Sequence, residues 1–253
     1  MAPNGIFKVL SARVTITMSE FPGPIALVGS GEYLPVMQHI EACLLTGRNP
    51  IYVQLPTAAA PEGDDSLRRW IDLGKKQAER IGVTQVPVVV RNQSEANDPK
   101  FAELIKGAGL IYLSGGNPHF LADTLRDSLV WQAIRESWEA GAALAGCSAG
   151  AMAIADHIPA LRLHSPRETR GLGVLPHIRV LPHFDKMFGW IPDLATRIFD
   201  IPDGVHVVGI DEETALIGGP FEWEVHGRQS VWLLRKGHRE QFSSGQKIVI
   251  NAC

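Results

Sequence analysis

The chain has 253 residues, 45% hydrophobic and 20% charged, enough for one large core or a core with an appended lobe. A formal net charge of -3 and a pI near 6.3, with no basic run interleaved with aromatics, leave no footprint for nucleic acid. No stretch reaches the apolar length needed to cross a bilayer, so no membrane partner is expected.

Residues 1–20 read as a weakly organised extension. Lys8 and Arg13 break its apolar residues, unlike a signal peptide, and Met18 offers an alternative start just ahead of the first clear strand. Residues 21–253 read as a single domain, because no Gly-, Ser- or Pro-rich linker divides them. Within it, the apolar runs Ile25 to Val28, Ile51 to Leu55, Val86 to Val90, Leu110 to Leu113 and Ala142 to Ala145 alternate with helical patterns. Nearly continuous apolar strands in βαβα order predict a doubly wound α/β fold, a mostly parallel sheet with helices on both faces. One helix is expected over Asp64 to Arg80, opened by Asp64 and Asp65 and stopped by Gly82, with Leu67, Ile71 and Ile81 toward the sheet.

Gly29-Ser30-Gly31-Glu32-Tyr33-Leu34 follows the first strand like a dinucleotide turn, but Leu34 stands where the third glycine should be and no phosphate-loop lysine follows. No nucleotide cofactor is expected. At the end of a later strand, Ser114-Gly115-Gly116-Asn117-Pro118 pairs two glycines with a helix start, Asn117 as cap and Pro118 at the first position. Ligands bind at the carboxyl ends of such strands, and glycine lets the backbone approach them closely.

Gly146-Cys147-Ser148-Ala149-Gly150 lies between the run Ala142 to Ala145 and the helix-like Ala151 to Ala155, a strand, a tight turn and a helix. Small flanking residues tolerate a strained turn that thrusts a serine outward, so Ser148 is the candidate nucleophile. The amides of Ala149 and Gly116 can together face a developing oxyanion. Cys147 sits one place before the turn's centre and reads as a buried filler, although a cysteine-dependent amidotransferase-like enzyme would use it. The three cysteines, Cys43, Cys147 and Cys253, lack C-x-x-C spacing, which speaks for a reducing, cytoplasmic setting.

Nine histidines compete for the role of base. His183 is the best placed, directly after the apolar Ile178 to Leu181 at another strand end. His164, His177 and His183 are too scattered for a helix-borne metal pair, so no metal is expected. After residue 204 short β-like runs predict C-terminal hairpins that extend or flank the main sheet: Val205 to Ile210, Thr214 to Ile217, Trp223 to Val225, Val231 to Leu234 and Lys247 to Ile250. Asp211, Glu212 and Glu213 between the first two are three carboxylates able to orient the base, and sequence does not choose among them. An α/β-hydrolase esterase would instead order Ser148, Asp200 or Asp211, then His226 or His238. A non-catalytic binding protein on the same fold is a further alternative.

In order, Gly115-Gly116-Asn117, Ala145 to Ala151, Pro182-His183-Phe184 and Gly209-Ile210-Asp211-Glu212-Glu213-Thr214-Ala215 resemble the serine peptidase family of dipeptidase E and cyanophycinase. The resemblance implies a class I glutamine amidotransferase-like, flavodoxin-like fold. It further implies Ser148 as nucleophile, His183 as base, Glu212 as orienting acid, and Gly116 and Ala149 as oxyanion donors. Its expected partner is a small peptide or isopeptide substrate, with a homodimer left open. Cyanophycinases carry a glutamine before the histidine and arginines soon after it, whereas this chain has Pro182 and then Asp185-Lys186-Met187. Cyanophycin is therefore not the expected substrate. Dipeptidase E-like enzymes prefer an amino-terminal aspartate, which calls for a cation: Lys186, Arg162, Arg167 or Arg170. Asn117 and Lys186 stand as the substrate-binding candidates.

Overall fold

The structure, a computed structural model, describes residues 22–159, 169–187, 203–235 and 238–251. The N-terminal extension with Met18, and also Arg162, His164, Arg167 and Asp200, lie outside the described residues.

Five strands form the parallel heart of an eight-stranded sheet: β1 (Ile25–Val28), β2 (Ile51–Leu55), β3 (Thr84–Pro87), β4 (Leu110–Leu113) and β5 (Ala143–Cys147). Between them run α1 (Gln38–Leu45), α2 (Asp64–Ile81), α3 (Gln93–Ala96), α4 (Pro99–Glu103), α5 (Pro118–Leu125) and α6 (Leu129–Glu139), and α7 (Ala149–Ile154) follows β5. The chain then forms the short pair β6 (His157–Ile158) and β7 (Thr169–Arg170), β8 (Ile178–Leu181) and α8 (Phe184–Met187). It ends in β9 (His206–Ile210), β10 (Thr214–Gly218), β11 (Glu222–Gly227), β12 (Ser230–Arg235), β13 (His238–Ser243) and β14 (Lys247–Val249).

The large sheet has the order β14-β11-β10-β1-β5-β4-β2-β3, antiparallel on the β10 side of β1 and parallel from β1 to β3. Alternate residues of its strands serve two cores, as a period of two demands. Leu27, Val53, Ile111, Leu113 and Leu144 join α5, α6 and α7 on one face, and Ala26, Val28, Tyr52, Tyr112, Ala145 and Cys147 join α1 on the other, where Trp70 and Leu73 of α2 also pack. The expected doubly wound α/β sheet is therefore present, with the strands buried from both sides.

Some details differ from the sequence reading. The third strand pairs from Thr84 to Pro87 rather than from Val86 to Val90. Its ladder opens right after α2 is stopped at Gly82, whose φ of 79° is left-handed, and Val88 and Val90 are buried beyond it. On α2, Leu67 is buried and Trp70, Leu73 and Ile81, each half-buried, pack on the core, whereas the equally half-buried Ile71 is not among the side chains packed there. The C-terminal strands divide in two: β10, β11 and β14 extend the large sheet, while β9 and β12 join β8 and β13 in a second sheet ordered β13-β12-β9-β8. In it β8 and β9 are parallel, with Leu181 opposite Gly209.

Candidate active site

Ser148 stands between β5 and α7 with φ 49° and ψ -106°, a conformation that L side chains enter only when their surroundings hold them there. The holding is steric and polar. A Cβ at Gly146 would lie 2.4 Å from the Gly150 carbonyl carbon, and one at Gly150 would lie 2.2 Å from the Leu113 carbonyl oxygen. The two glycines of the motif therefore let α7 press against β5 and β4, and the Ser148 amide donates to the Val28 carbonyl at 2.9 Å.

The candidate base and acid, His183 and Glu212, come from the second sheet. Parallel pairing of β8 with β9 puts the residues that follow each strand side by side, and His183 and Glu212 are two of them. Ser148 Oγ lies 3.0 Å from His183 Nε2, and His183 Nδ1 lies 3.0 Å from Glu212 Oε1. With the proton on Nδ1, the ring donates to Glu212 and presents Nε2 as an acceptor to the serine hydroxyl. His183 also has a positive φ, 50°, and both its side chain and that of Glu212 are about two-thirds covered, at 35% and 31% exposed.

The neighbouring carboxylates are engaged elsewhere. Asp211 is buried, accepting from the Ser230 amide and from Trp232 Nε1, and its burial pushes the carboxyl pKa up. Glu213 pairs with Arg228 at 2.8 Å. Asp185 accepts the Glu212 amide at 3.0 Å, and Gln229 Nε2 donates to the Glu212 carbonyl at 3.0 Å, so the backbone carrying the acid is held from both sides. Neither Asp185 nor Gln229 was singled out by sequence.

A cavity of about 530 Å³ opens over the serine, and Gly116, Asn117, Ser148, Ala149 and His183 line it. Gly116 has φ 136°, and a Cβ there would strike the Ala58 carbonyl oxygen at 2.4 Å, so only glycine fits. The Gly115 amide is taken by Glu32 and the Asn117 amide by the Ala58 carbonyl; the Gly116 amide between them has no partner among the described residues. Asn117 caps α5, its Oδ1 accepting the Phe120 amide at 3.0 Å.

Lys186 is exposed and is not on the cavity wall, and Arg170 is exposed and faces Asp156 at 3.9 Å. The wall instead carries Glu62 and His119. Cys147 is buried on the opposite face of β5, its Sγ donating to Glu32 Oε2 at 2.8 Å. Burial first, and the Glu32 carboxylate second, push its thiol well above the usual range, so it stays protonated and is a poor nucleophile. His226, a candidate in the esterase order, faces Glu224 at 3.5 Å. Among the described residues no three His, Cys, Asp or Glu side chains converge as a metal site.

Glu32 is the other residue that sequence reading passed over. It lies in the turn after β1 that reads as a failed nucleotide loop, and its one signal is a carboxylate among glycines at a parallel strand's carboxyl end.

Comparison with known proteins gives the chain its family. The sequence model described as Peptidase family S51 matches residues 25–219. The cyanophycinase of Geminocystis herdmanii is 24% identical over 200 residues, covering 74% of this chain and 70% of that protein. The cyanophycinase of Synechococcus elongatus is 29% identical over 202 residues, covering 76% of this chain but 61% of that protein, less than two thirds of its length. Among solved structures, a peptidase from an acI-B1 Actinobacterium superposes with a TM-score of 0.82 at 43% identity, covering 90% of this chain and 97% of that one. A Listeria monocytogenes protein named as a candidate peptidase E gives a TM-score of 0.60 at 19% identity over 82% of this chain and 100% of its own, a likeness of fold.

Proposed function

Because the chain belongs to peptidase family S51, we propose that it is a serine peptidase that cleaves a small peptide or isopeptide amide through an acyl-enzyme on Ser148. The observation that carries this reading is the pair of 3.0 Å contacts joining Ser148, His183 and Glu212 in line. His183 Nε2 takes the hydroxyl proton as Oγ attacks the amide carbonyl, and the Gly116 and Ala149 amides donate to the oxyanion. The imidazolium then gives that proton to the leaving amine, and water, deprotonated by the same nitrogen, hydrolyses the ester. Glu212 keeps the ring in the required tautomer and stabilises its charged form.

The cavity suits a dipeptide-sized substrate, and Glu62 on its wall offers a carboxylate to a peptide's free amine. An aspartyl or β-aspartyl acyl group is the selection implied by the resemblance to dipeptidase E. The test is intact-mass labelling with a fluorophosphonate, followed by a panel of aspartyl, β-aspartyl and alanyl dipeptides. Stoichiometric labelling of the unmodified chain is expected, lost in both Ser148→Ala and His183→Ala. Full labelling of Ser148→Ala refutes the assignment of the nucleophile, and equal cleavage of all three dipeptides refutes the aspartyl preference.

A further inference from the structure

The glycine-rich turn after β1 binds no part of the relay, yet its carboxylate reaches both loops that would hold the oxyanion. Glu32 is only 8% exposed, although a carboxylate is seldom buried without dedicated partners. Its Oε1 accepts the Gly115 amide at 2.9 Å, and its Oε2 accepts the Cys147 thiol at 2.8 Å. Gly115 immediately precedes Gly116, and Cys147 immediately precedes Ser148 and Ala149. One side chain therefore spans the ends of β4 and β5, one residue before Gly116 and two before Ala149, the proposed oxyanion donors.

The fit is close. A Cβ on Gly115 would come within 2.6 Å of Glu32 Oε1, so the glycine makes room for the carboxylate. The turn itself is fixed from the far side, the Gly29 amide donating to the Thr214 carbonyl at 3.0 Å and the Glu213 amide to the Ser30 carbonyl at 3.2 Å. With the Gly115 amide tied to Glu32 and the Asn117 amide to the Ala58 carbonyl at 2.8 Å, the peptides on both sides of the Gly115–Gly116 bond are fixed, and the Gly116 amide between them has no protein partner among the described residues and remains for the substrate. Without that tie, two consecutive glycines are the part of the chain most able to rotate a peptide plane.

We propose that Glu32 is a positioning residue that sets the Gly116 amide for transition-state stabilisation while touching no substrate itself. This rests on the reading of Ser148 as nucleophile. It predicts a loss in the chemical step with ground-state binding left intact, because an oxyanion donor works where charge develops.

The experiment measures fluorophosphonate inactivation, separating the limiting rate from the half-saturating concentration, for the unmodified chain, Glu32→Gln, Glu32→Asp and Glu32→Ala, with Ser148→Ala alongside and circular dichroism of each. Glu32→Gln keeps an Oε1 acceptor for the Gly115 amide and should stay within several-fold of the unmodified rate. Glu32→Asp withdraws the acceptor by one methylene and Glu32→Ala removes it. Both should lose about 10- to 100-fold in limiting rate, with the half-saturating concentration changed less than about twofold. Should Glu32→Ala fail to fold, Glu32→Asp carries the comparison on the same terms. An unchanged limiting rate in Glu32→Asp, or a loss in Glu32→Gln as large as in Glu32→Asp, overturns the proposal. If Ser148→Ala is labelled like the unmodified chain, the nucleophile assignment fails instead, which separates the two outcomes.

Discussion

Three adjacent acids, Asp211, Glu212 and Glu213, have three different environments, and side-chain direction decides which one faces His183, the proposed base. Glu212 faces His183 Nδ1, while Asp211 binds Ser230 and Trp232 and Glu213 binds Arg228. Glu212→Gln should therefore lower the labelling rate by about 10²- to 10⁴-fold through loss of the correct tautomer. Glu213→Gln, which removes only one partner of a pair whose Arg228 is 66% exposed, should leave that rate within about threefold. Stopped-flow labelling of the two variants checks the contrast, and a large effect at Glu213 with none at Glu212 would reassign the acid. Sequence could not make this choice, because the alternation that aims these side chains is broken by the left-handed φ of 54° at Glu213. Ser148 was legible because its glycines are demanded by local crowding that any such turn repeats, whereas Glu32 was hidden in a turn resembling a nucleotide loop. Lys186 is a candidate through the cation that the resemblance to dipeptidase E calls for, and its side chain is exposed and off the cavity wall, because a charge in the sequence carries no direction.

At the scale of elements, the elbow depends on how closely α7 meets β4. Gly150→Ala puts a methyl 2.2 Å from the Leu113 carbonyl oxygen, and backbone cannot yield as a flexible side chain can. The helix must move, at a cost of about 1–3 kcal/mol, and the Ser148 hydroxyl moves with it. A lower melting temperature together with lost labelling is expected; lost labelling at an unchanged melting temperature would point to a direct role for Gly150 instead. The strands β1, β2 and β4 were readable at their true bounds because both faces are covered and every residue is apolar or nearly so. By contrast β13, with the sequence HREQFS, is an edge strand held by backbone pairing to β12, and pairing leaves no hydrophobic pattern to read. β3 is an edge of the large sheet, and its polar Thr84 and Gln85 concealed where pairing begins.

For the molecule as a whole, the face of the large sheet covered by α1 and α2 contains a buried acid. Glu41 is 1% exposed and accepts a hydrogen bond from Tyr52 at 2.9 Å, and burial holds its carboxyl up at about 7. A folded pKa raised above the unfolded one favours the protonated native state, so this contribution is complete below about 4.5 and is lost as pH rises to about 7. The loss is on the order of 3 kcal/mol. Urea unfolding at pH 5 and pH 8 should show a steeper decline for the unmodified protein than for Glu41→Gln, by about 2–3 kcal/mol across that interval. Equal declines would mean that Glu41 does not titrate with folding.

The proposed relay also crosses a seam. Ser148 and the proposed oxyanion donors belong to the eight-stranded sheet, whereas His183 and Glu212 follow parallel strands of the four-stranded one. The chain changes sheets at Asp211–Glu213, where a Cβ on Gly29 would meet the Asp211 carbonyl oxygen at 2.1 Å. The proposed nucleophile and base are thus carried by separate slabs, and a slip of about 1 Å between them is enough to break a 3.0 Å contact and cost on the order of 10²-fold in rate. Such an enzyme can be silenced with every reactive group intact, by whatever wedges the slabs apart.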